Sequence, residues 1–270
     1  MTAAEPRAGA AVAAPNAATA VLEAHDVAVH YGGIKAVDGL DMSLTTGRIL
    51  GILGPNGSGK STMLGAVTRL VPLTRGRLLL DGQDYTGSPP SRLARKGISR
   101  TFQTVRLLPD LTVLENIQLG ADLHLDRGTR LRGLLRRVLP AEVTEAVERA
   151  GVGDLLGLFP GELSYGTARR VEIARALAVQ PRVLMLDEPT AGMNQPERLE
   201  VADLLRKLRD EGLTQLLVEH DVQMMVDTCD RLLAMNQGLP IAEGPPADVV
   251  REPAVQEAYL GKRSNRAEDR

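Results

Sequence analysis

The chain has 270 residues, of which 43% are hydrophobic and 24% are charged, and its formal net charge is −2. This composition is typical of a folded enzyme with a sizeable core. The near balance of charge excludes an overall basic field that would attract nucleic acid or anionic lipid. The single cysteine, Cys229, excludes an internal disulfide and a cysteine cluster for a metal, so we interpret it as a buried free thiol.

The first segment, residues 1–20, is rich in alanine and poor in large apolar side chains, and we expect a disordered tail there. Glu5, Arg7 and Asn16 interrupt the continuous apolar core that a secretory signal would need. No segment of the chain approaches the roughly 18 uncharged apolar residues that span a bilayer. If the protein serves a membrane, we expect it to do so from outside the lipid.

Strand and helix patterns alternate along most of the chain. In chain order they predict strand 22–29, strand 49–53, helix 61–70, helix 168–179, strand 183–186, helix 196–209 and strand 216–218. This alternation predicts an α/β core with a largely parallel sheet.

The strand signal disappears between residues 112 and 151, and we interpret this stretch as a helical insertion. Val143, Val147 and Ala150 recur at helical spacing, and Gly151 closes the pattern as a helix end. The basic run at 127–137 is more typical of a solvated face than of a contact with phosphates or lipid head groups. The chain shows no internal repeat or heptad run, which excludes a long coiled coil.

The pattern G-x-x-x-x-G-K-[S/T] is satisfied by consecutive residues: Gly54, Pro55, Asn56, Gly57, Ser58, Gly59, Lys60 and Ser61. The pattern follows an apolar strand and precedes a helix, which is the context of a phosphate-binding loop. Its glycines let the backbone wrap closely around an anion. The helix N-terminus and Lys60 supply positive charge near the β- and γ-phosphates, and the Ser61 hydroxyl is a ligand for Mg²⁺. We assign Thr62 to the α-phosphate.

An acidic pair follows the apolar strand at 183–186. Asp187, at the carboxyl end of that strand, is placed to hold Mg²⁺ through its water shell. Glu188 is then available to orient or deprotonate an attacking water. By itself such a pair would more often belong to a turn or a helix cap, but beside a phosphate loop it favours catalysis.

A phosphate loop alone predicts nucleotide binding and little more, because kinases, GTPases, helicases and transport ATPases all contain one. A more specific resemblance is to the signature of the ATP-binding-cassette (ABC) family, in the residues Leu163-Ser164-Tyr165-Gly166-Thr167 and the following helix ARRVEIARALAVQ. The resemblance implies that Ser164 and Gly166 cap the γ-phosphate held by a second cassette, so that each active site is shared across a dimer. A plain helix cap would explain Ser164 alone.

Three more residues match the family in order around this loop. Gln103, in RTFQ, matches the glutamine that reaches the metal and the attacking water and reports to the membrane subunits. His220, which closes QLLVEH, matches the histidine that contacts the γ-phosphate, and Tyr31 matches the aromatic residue that stacks on adenine. Each of the three would more often be structural if it stood alone.

The resemblance covers residues 21–261, which we expect to form one ABC ATPase domain followed by a C-terminal tail at 262–270. It implies a mainly parallel core sheet, an antiparallel β subdomain and a helical subdomain at about 104–180. Two positions depart from the family pattern. Thr167 stands in place of a glutamine and Asn194 in place of an aspartate, which leaves the packing of the signature helix and the coupling across the dimer open.

Several longer segments resemble the ATP-binding subunits of branched-chain amino-acid importers: YGGIKAVDGLDMSL, RTFQTVRLLPDLTVLENIQLGA, EPTAGMN and IAEGPPADVVREPAVQEAYLG. This resemblance implies ATP hydrolysis, with ATP and Mg²⁺ as cofactors, that energises uptake of branched-chain or related hydrophobic amino acids. It implies as partners a second ABC ATPase subunit, two integral membrane permeases and, indirectly, an extracytoplasmic solute-binding protein. Among the possible pairs of cassettes, the resemblance favours a heterodimer over a homodimer. It places the cassettes at the cytoplasmic face of the membrane, and we expect no nucleic acid partner.

Three alternatives remain open at this point. Related cassettes energise transport of urea, short amides or lipids. ABC ATPases outside transport act on DNA or ribosomes, but they usually carry two cassettes, a long coiled coil, zinc-binding cysteines or a strongly basic surface. A cassette that binds ATP without hydrolysing it is disfavoured by the presence of both Glu188 and His220.

Overall fold

The structure, a computed structural model, describes residues 19–122 and 139–264. Its strands are β1 (Ala20–Tyr31), β2 (Ile34–Thr45), β3 (Ile49–Leu53), β4 (Arg75–Leu80), β5 (Gln83–Asp84), β6 (Ile98–Arg100), β7 (Val183–Asp187), β8 (Thr214–Val218), β9 (Arg231–Asn236) and β10 (Leu239–Gly244). Its α-helices are α1 (Lys60–Val67), α2 (Val113–Ala121), α3 (Ala141–Ala150), α4 (Tyr165–Leu177), α5 (Gln195–Asp210), α6 (Val222–Thr228), α7 (Pro246–Val249) and α8 (Pro253–Ser264).

The core sheet has six strands in the order β10-β9-β3-β8-β7-β6. Every neighbouring pair is parallel except the β9–β10 hairpin. All residues of β3, β7 and β8 are buried, because both faces of these strands are covered. Burial on both faces is the reason that central parallel strands read as uninterrupted apolar runs. The prediction of a mainly parallel α/β core is confirmed.

A second, antiparallel sheet has the order β2-β1-β4-β5. Its inner face, with Leu22 and Leu40, shares one hydrophobic cluster with α1 and with the core-sheet residues Ile52 and Val218. The opposite face of the core sheet packs against the remaining helices through a separate cluster. The first cluster holds the antiparallel sheet against one face of the core sheet, and the antiparallel β subdomain that the resemblance implied is confirmed.

Between β6 and β7 the described residues form α2, α3 and α4. Helix α2 begins with a capping box, in which Thr112 accepts from the Glu115 N–H and Glu115 accepts from the Thr112 N–H. Helix α3 ends at Gly151, which takes a left-handed φ of 64°, so the predicted helix end is confirmed. The basic run at 127–137 lies outside the described residues.

Several element ends differ from the sequence-based expectation. Helix α1 stops at Val67 and not at residue 70, because Arg69 takes a positive φ of 57° that a helix cannot continue. Strand β1 already begins at Ala20, inside the expected N-terminal tail, and α8 runs to Ser264, past the expected boundary at residue 261. Helix α4 begins at Tyr165, three residues earlier than predicted.

Two expectations about the whole chain can be compared with the described residues. Within the described residues, none of the helices combines the length and apolar composition that crossing a bilayer requires. Cys229 is a free and buried thiol, as predicted. Burial raises the pKa of this thiol well above its ordinary value, and the nearby carboxylates of Asp230 and Glu219 raise it further.

Candidate functional site

The phosphate loop connects β3 to α1 and needs glycine at specific positions. A Cβ on Gly54 would lie 2.3 Å from the Met235 carbonyl oxygen, and a Cβ on Gly59 would lie 2.3 Å from that of Ala36. Gly59 also has a φ of 105°, and Gly57 a φ of 81°. A Cβ on Gly57 would meet no heavy atom within 4 Å, so this part of the loop is open on its outer side. The loop therefore has a tightly packed base and an open tip.

Lys60 is buried at the start of α1 and crosses the loop. Its Nζ donates to the carbonyl oxygens of Gly54 at 2.8 Å and Pro55 at 3.0 Å. Asn56 and Gly57 are exposed at the tip of the loop, and the Ser58 hydroxyl is buried beneath it. In the first turn of α1, the Ser61 side chain is exposed and Thr62 is half-buried. The loop thus holds a buried ammonium group and a helix N-terminus beneath an exposed tip, which suits a phosphate.

Three of the predicted catalytic residues meet beside one carboxylate. The Gln103 side-chain amide donates to Glu188 Oε2 at 2.8 Å. His220 Nδ1 lies 3.9 Å from the same Glu188 oxygen. The residues follow β6, β7 and β8, whose carboxyl ends share one edge of the core sheet. Because ligands of open α/β sheets bind at this edge, the meeting point is a candidate catalytic centre.

Asp187 ends β7 in a buried position and is held by a cation that the sequence did not point to. Arg100 Nη2 donates to Asp187 Oδ2 at 2.7 Å, and Arg100 Nη1 donates to the Thr68 hydroxyl at 3.0 Å. The predicted Mg²⁺ ligands Ser61, Gln103 and Asp187 offer a hydroxyl, an amide and a carboxylate, the oxygen chemistry that Mg²⁺ prefers. Their chemistry fits this ion, although Gln103 and Asp187 are bonded to Glu188 and Arg100 in this structure.

The signature residues lie at the N-terminus of α4. The Ser164 hydroxyl accepts from the Thr167 N–H at 3.2 Å and lies 3.1 Å from the Thr167 hydroxyl. The Gly166 N–H donates to Glu197 Oε1 at 3.2 Å. Glu197 belongs to a capping box with Asn194, which is the N-cap residue of α5. Both departures from the family pattern therefore take part in hydrogen bonds around the signature.

Tyr31 is 52% exposed at the end of β1, where the β1–β2 hairpin turns. The hairpin reaches the phosphate loop through Ala36, whose carbonyl oxygen borders Gly59. The turn between β9 and β10 borders the loop as well, because the Gly238 N–H donates to the Ser58 carbonyl at 3.0 Å. An exposed aromatic ring is thus placed on the element that borders the phosphate loop.

The structure reveals further residues that sequence reasoning missed. Glu219 is fully buried beside His220 and accepts from the N–H and the hydroxyl of Thr190. Burial raises the pKa of Tyr259, on α8, to about 12. The backbone N–H of Gly54, in the phosphate loop, faces that hydroxyl and offsets part of the rise in its pKa. The acid next to the histidine in VEH was the available signal for Glu219, and no local pattern pointed to Tyr259.

A glycine-rich loop between a buried parallel strand and a helix, with an acidic pair at the end of a second strand of the same sheet, defines a phosphate-loop nucleotide-binding protein. Residues 37–191 match the ABC transporter family. Residues 240–264 match a second family, described as branched-chain amino acid ATP-binding cassette transporter. The chain therefore belongs to the ABC transporter family of ATP-binding proteins.

Curated relatives align with nearly the whole chain. The high-affinity branched-chain amino acid transport ATP-binding protein BraF of Pseudomonas aeruginosa is 37% identical over 251 residues, covering 90% of this chain and 98% of that protein. The protein of the same description named LivG, of Escherichia coli, gives the same identity and coverage.

Solved structures give the same picture of the fold. The ADP conformation of an ATP-binding cassette of an ABC transporter is 32% identical, with a TM-score of 0.79 over 90% of this chain and 99% of that chain. A dimeric cassette bound to ADP and Pi is 27% identical, with a TM-score of 0.70 over 83% of this chain and 98% of that chain. These likenesses confirm the predicted ABC cassette fold.

Proposed function

We propose that the protein is the ATP-hydrolysing subunit of an ABC importer for branched-chain or related hydrophobic amino acids. The observation that carries the hydrolytic part is the meeting of Gln103, Glu188 and His220 at the sheet edge that also bears the phosphate loop. The importer part is supported by the match over residues 240–264 and by the names of the relatives BraF and LivG.

The chemistry is an in-line attack of water on the γ-phosphate of ATP. Glu188 accepts the water proton, Gln103 orients the water, and the bond between the γ-phosphorus and the bridging oxygen breaks to release ADP. Lys60 and His220 stabilise the negative charge that develops on the phosphate oxygens. Ser61, Gln103 and Asp187 are the residues that would hold Mg²⁺, which would supply further neutralisation of the charge on the phosphate oxygens.

The shared active site calls for a second cassette. Ser164 and Gly166 lie at the N-terminus of a long helix, where a hydroxyl and backbone N–H groups suit a phosphate from a facing subunit. The Gly166 N–H is bonded to Glu197 in this structure, so closure would exchange that carboxylate for a phosphate oxygen. Two permeases and a solute-binding protein complete the importer, with the cassettes at the cytoplasmic face of the membrane.

The hydrolytic proposal is tested by replacing Glu188 with Gln and measuring ATP affinity and phosphate release separately. We expect affinity within about twofold of the wild type and loss of turnover by at least about 100-fold, since a general base contributes about 10²–10⁴-fold. Glu211→Gln is the matched control, because Glu211 pairs with Arg149 away from the site. Wild-type phosphate release by Glu188→Gln would remove Glu188 from the role of base.

The transport proposal is tested by reconstituting the chain with its membrane partners and measuring ATP-dependent uptake of labelled leucine. Uptake of labelled urea and of labelled glutamine is measured in parallel, as alternative substrates. Leucine uptake that Lys60→Ala abolishes is the expected result. Uptake of urea or glutamine without leucine would reassign the importer while leaving the hydrolytic proposal intact.

A further inference from the structure

Arg169, in the signature helix α4, is fully buried. An arginine is rarely found so deep in a protein unless its charge and its N–H groups are paired. Its Nη1 donates to the Phe102 carbonyl at 2.6 Å and to Glu172 Oε2 at 2.5 Å. Its Nη2 donates to the Gln103 carbonyl at 2.5 Å. The guanidinium therefore binds two consecutive carbonyls of the loop that carries Gln103.

Glu172, one turn further along α4, completes the attachment. It is buried, and its Oε1 accepts from the Arg106 N–H at 3.2 Å. Burial raises the pKa of Glu172 above its ordinary value, and the charge of Arg169 offsets part of that rise. We call Arg169 and Glu172 together the arginine clamp. The arginine clamp holds the loop at three backbone positions, Phe102, Gln103 and Arg106.

The same loop is also ordered through its aromatic ring. The Phe102 ring has two guanidinium groups over it, with Arg106 at 4.6 Å and Arg100 at 5.3 Å from its centroid. Arg100 in turn binds Asp187. The backbone of the loop is thus attached to the signature helix, while the Gln103 side chain binds Glu188 and Arg100, at the end of β6, binds Asp187.

We propose that the arginine clamp positions Gln103 against Glu188 and makes α4 and the loop at 102–106 move as one body. This inference rests on the proposed hydrolytic function. Ser164 caps the same helix about 7.5 Å along the axis from Arg169, at about 1.5 Å of rise per residue. A phosphate that binds at Ser164 would therefore set the position of Gln103 in the same cassette. Arg169 acts as a positioning residue, since its hydrogen bonds run to Phe102, Gln103, Tyr165 and Glu172 and not to the phosphate loop or Glu188.

A purely structural ion pair would stabilise α4 without a preferred partner loop. Arg169 and Glu172 lie three residues apart on one helix and could pair without any further contact. Instead, their remaining hydrogen bonds run to the backbone at 102–106, apart from one long contact of 3.5 Å from Arg169 to Tyr165. Glu172 also has Arg175 of the same helix at 3.8 Å. The direction of these bonds distinguishes the two explanations and tells us where to measure.

The test uses Arg169→Lys in the full-length chain, with Arg170→Lys on the same helix as matched control. Lysine retains the charge, but its single ammonium cannot bridge two carbonyls and a carboxylate as the planar guanidinium does. The first readout is amide hydrogen exchange at 102–106, where the Arg106 N–H reports directly on Glu172. We expect about tenfold faster exchange in Arg169→Lys and wild-type exchange in Arg170→Lys.

The second readout is ATP hydrolysis by the cassette assembled with its partner subunits. We expect kcat to fall about tenfold in Arg169→Lys while the affinity for ATP stays within about twofold. The double variant Arg169→Lys with Gln103→Ala should lose no more kcat than Gln103→Ala alone, because a misplaced glutamine and an absent one are equivalent. Glu172→Gln, which keeps the size and one oxygen acceptor, should show the same changes at smaller magnitude, and it serves if Arg169→Lys does not fold.

Unchanged exchange at 102–106 in a folded Arg169→Lys protein would overturn the proposal, as would additive losses of kcat in the double variant. A parallel fall in ATP affinity and kcat would indicate general damage to the fold and would also count against it. If the wild-type cassette hydrolyses no ATP, the proposed function fails, while the exchange measurement still decides whether the arginine clamp holds the loop.

Discussion

Replacing Gly57 with alanine separates the conformational role of the phosphate loop from its binding role. Gly57 has a φ of 81°, but a Cβ there would meet no heavy atom within 4 Å. The cost to folding is therefore backbone strain alone, about 1–2 kcal/mol for an L-residue in a left-handed conformation. At about 2–4 °C per kcal/mol, the melting temperature should fall by about 2–8 °C.

The same methyl group should have a second effect, on ATP. It would occupy the open tip of the loop, where the phosphate approaches the backbone. Loss of one hydrogen bond to a charged phosphate oxygen costs about 1.5–3 kcal/mol, which corresponds to about 10- to 100-fold in affinity. A fluorescent ATP analogue titrated into the full-length chain measures this change, and thermal unfolding measures the first.

Gly212→Ala is the matched control for Gly57→Ala. Gly212 has a φ of 93° in the turn between α5 and β8, and its Cβ side is also open. It should lose comparable stability and retain ATP affinity. Equal affinities for ATP in the wild type and Gly57→Ala would refute the assignment of this loop to phosphate, and so would an equal loss of affinity in both variants.

Further predictions concern capping, burial and pH. Thr112→Ala breaks the capping box of α2 and should lower the free energy of unfolding by about 1 kcal/mol in urea denaturation, and an unchanged free energy of unfolding would contradict that capping role. Cys229 should react with a maleimide only under denaturing conditions, because burial raises its pKa, and rapid labelling of the native chain would contradict its placement. The pKa of Tyr259 is raised from 10.0 to about 12, so its burial stabilises the fold fully below pH 10 and loses that effect as the pH rises toward 12. Relative to Tyr259→Phe, the wild type should lose stability over this interval, and a constant difference in urea titrations would exclude the shift.

The fold could be predicted well where burial is uniform or backbone chemistry is decisive. Strands β3, β7 and β8 read as apolar runs because they are covered on both faces. Gly151 could be assigned to a helix end because a left-handed residue is needed there. Gln103, Glu188 and His220 could be named as candidates from family order, but strand β6, which precedes Gln103, was not predicted.

The contacts that the sequence did not disclose are those between distant charged residues. Arg169 reaches a loop 66 residues earlier in the chain, and Arg100 reaches an acid 87 residues later. In the segment ARRVEIAR a buried Arg169 looks the same as a solvated one, because helical spacing distinguishes faces by their apolar residues. Such partners emerge only once tertiary packing brings β6, β7 and α4 together.

The strand order of the core sheet also determines the spacing between the residues of the proposed active site. The phosphate loop follows β3, His220 follows β8, Glu188 follows β7 and Gln103 lies beyond β6, and these four strands are consecutive neighbours. At about 4.8 Å between strands, the span from the phosphate loop to the β6 edge is about 14 Å. The backbone hydrogen bonds between neighbouring strands thus set the distances between the proposed reacting groups. Insertions in the connecting segments should leave this spacing intact, whereas a one-residue slip of β7 would turn its side chains, including Asp187, to the opposite face of the sheet.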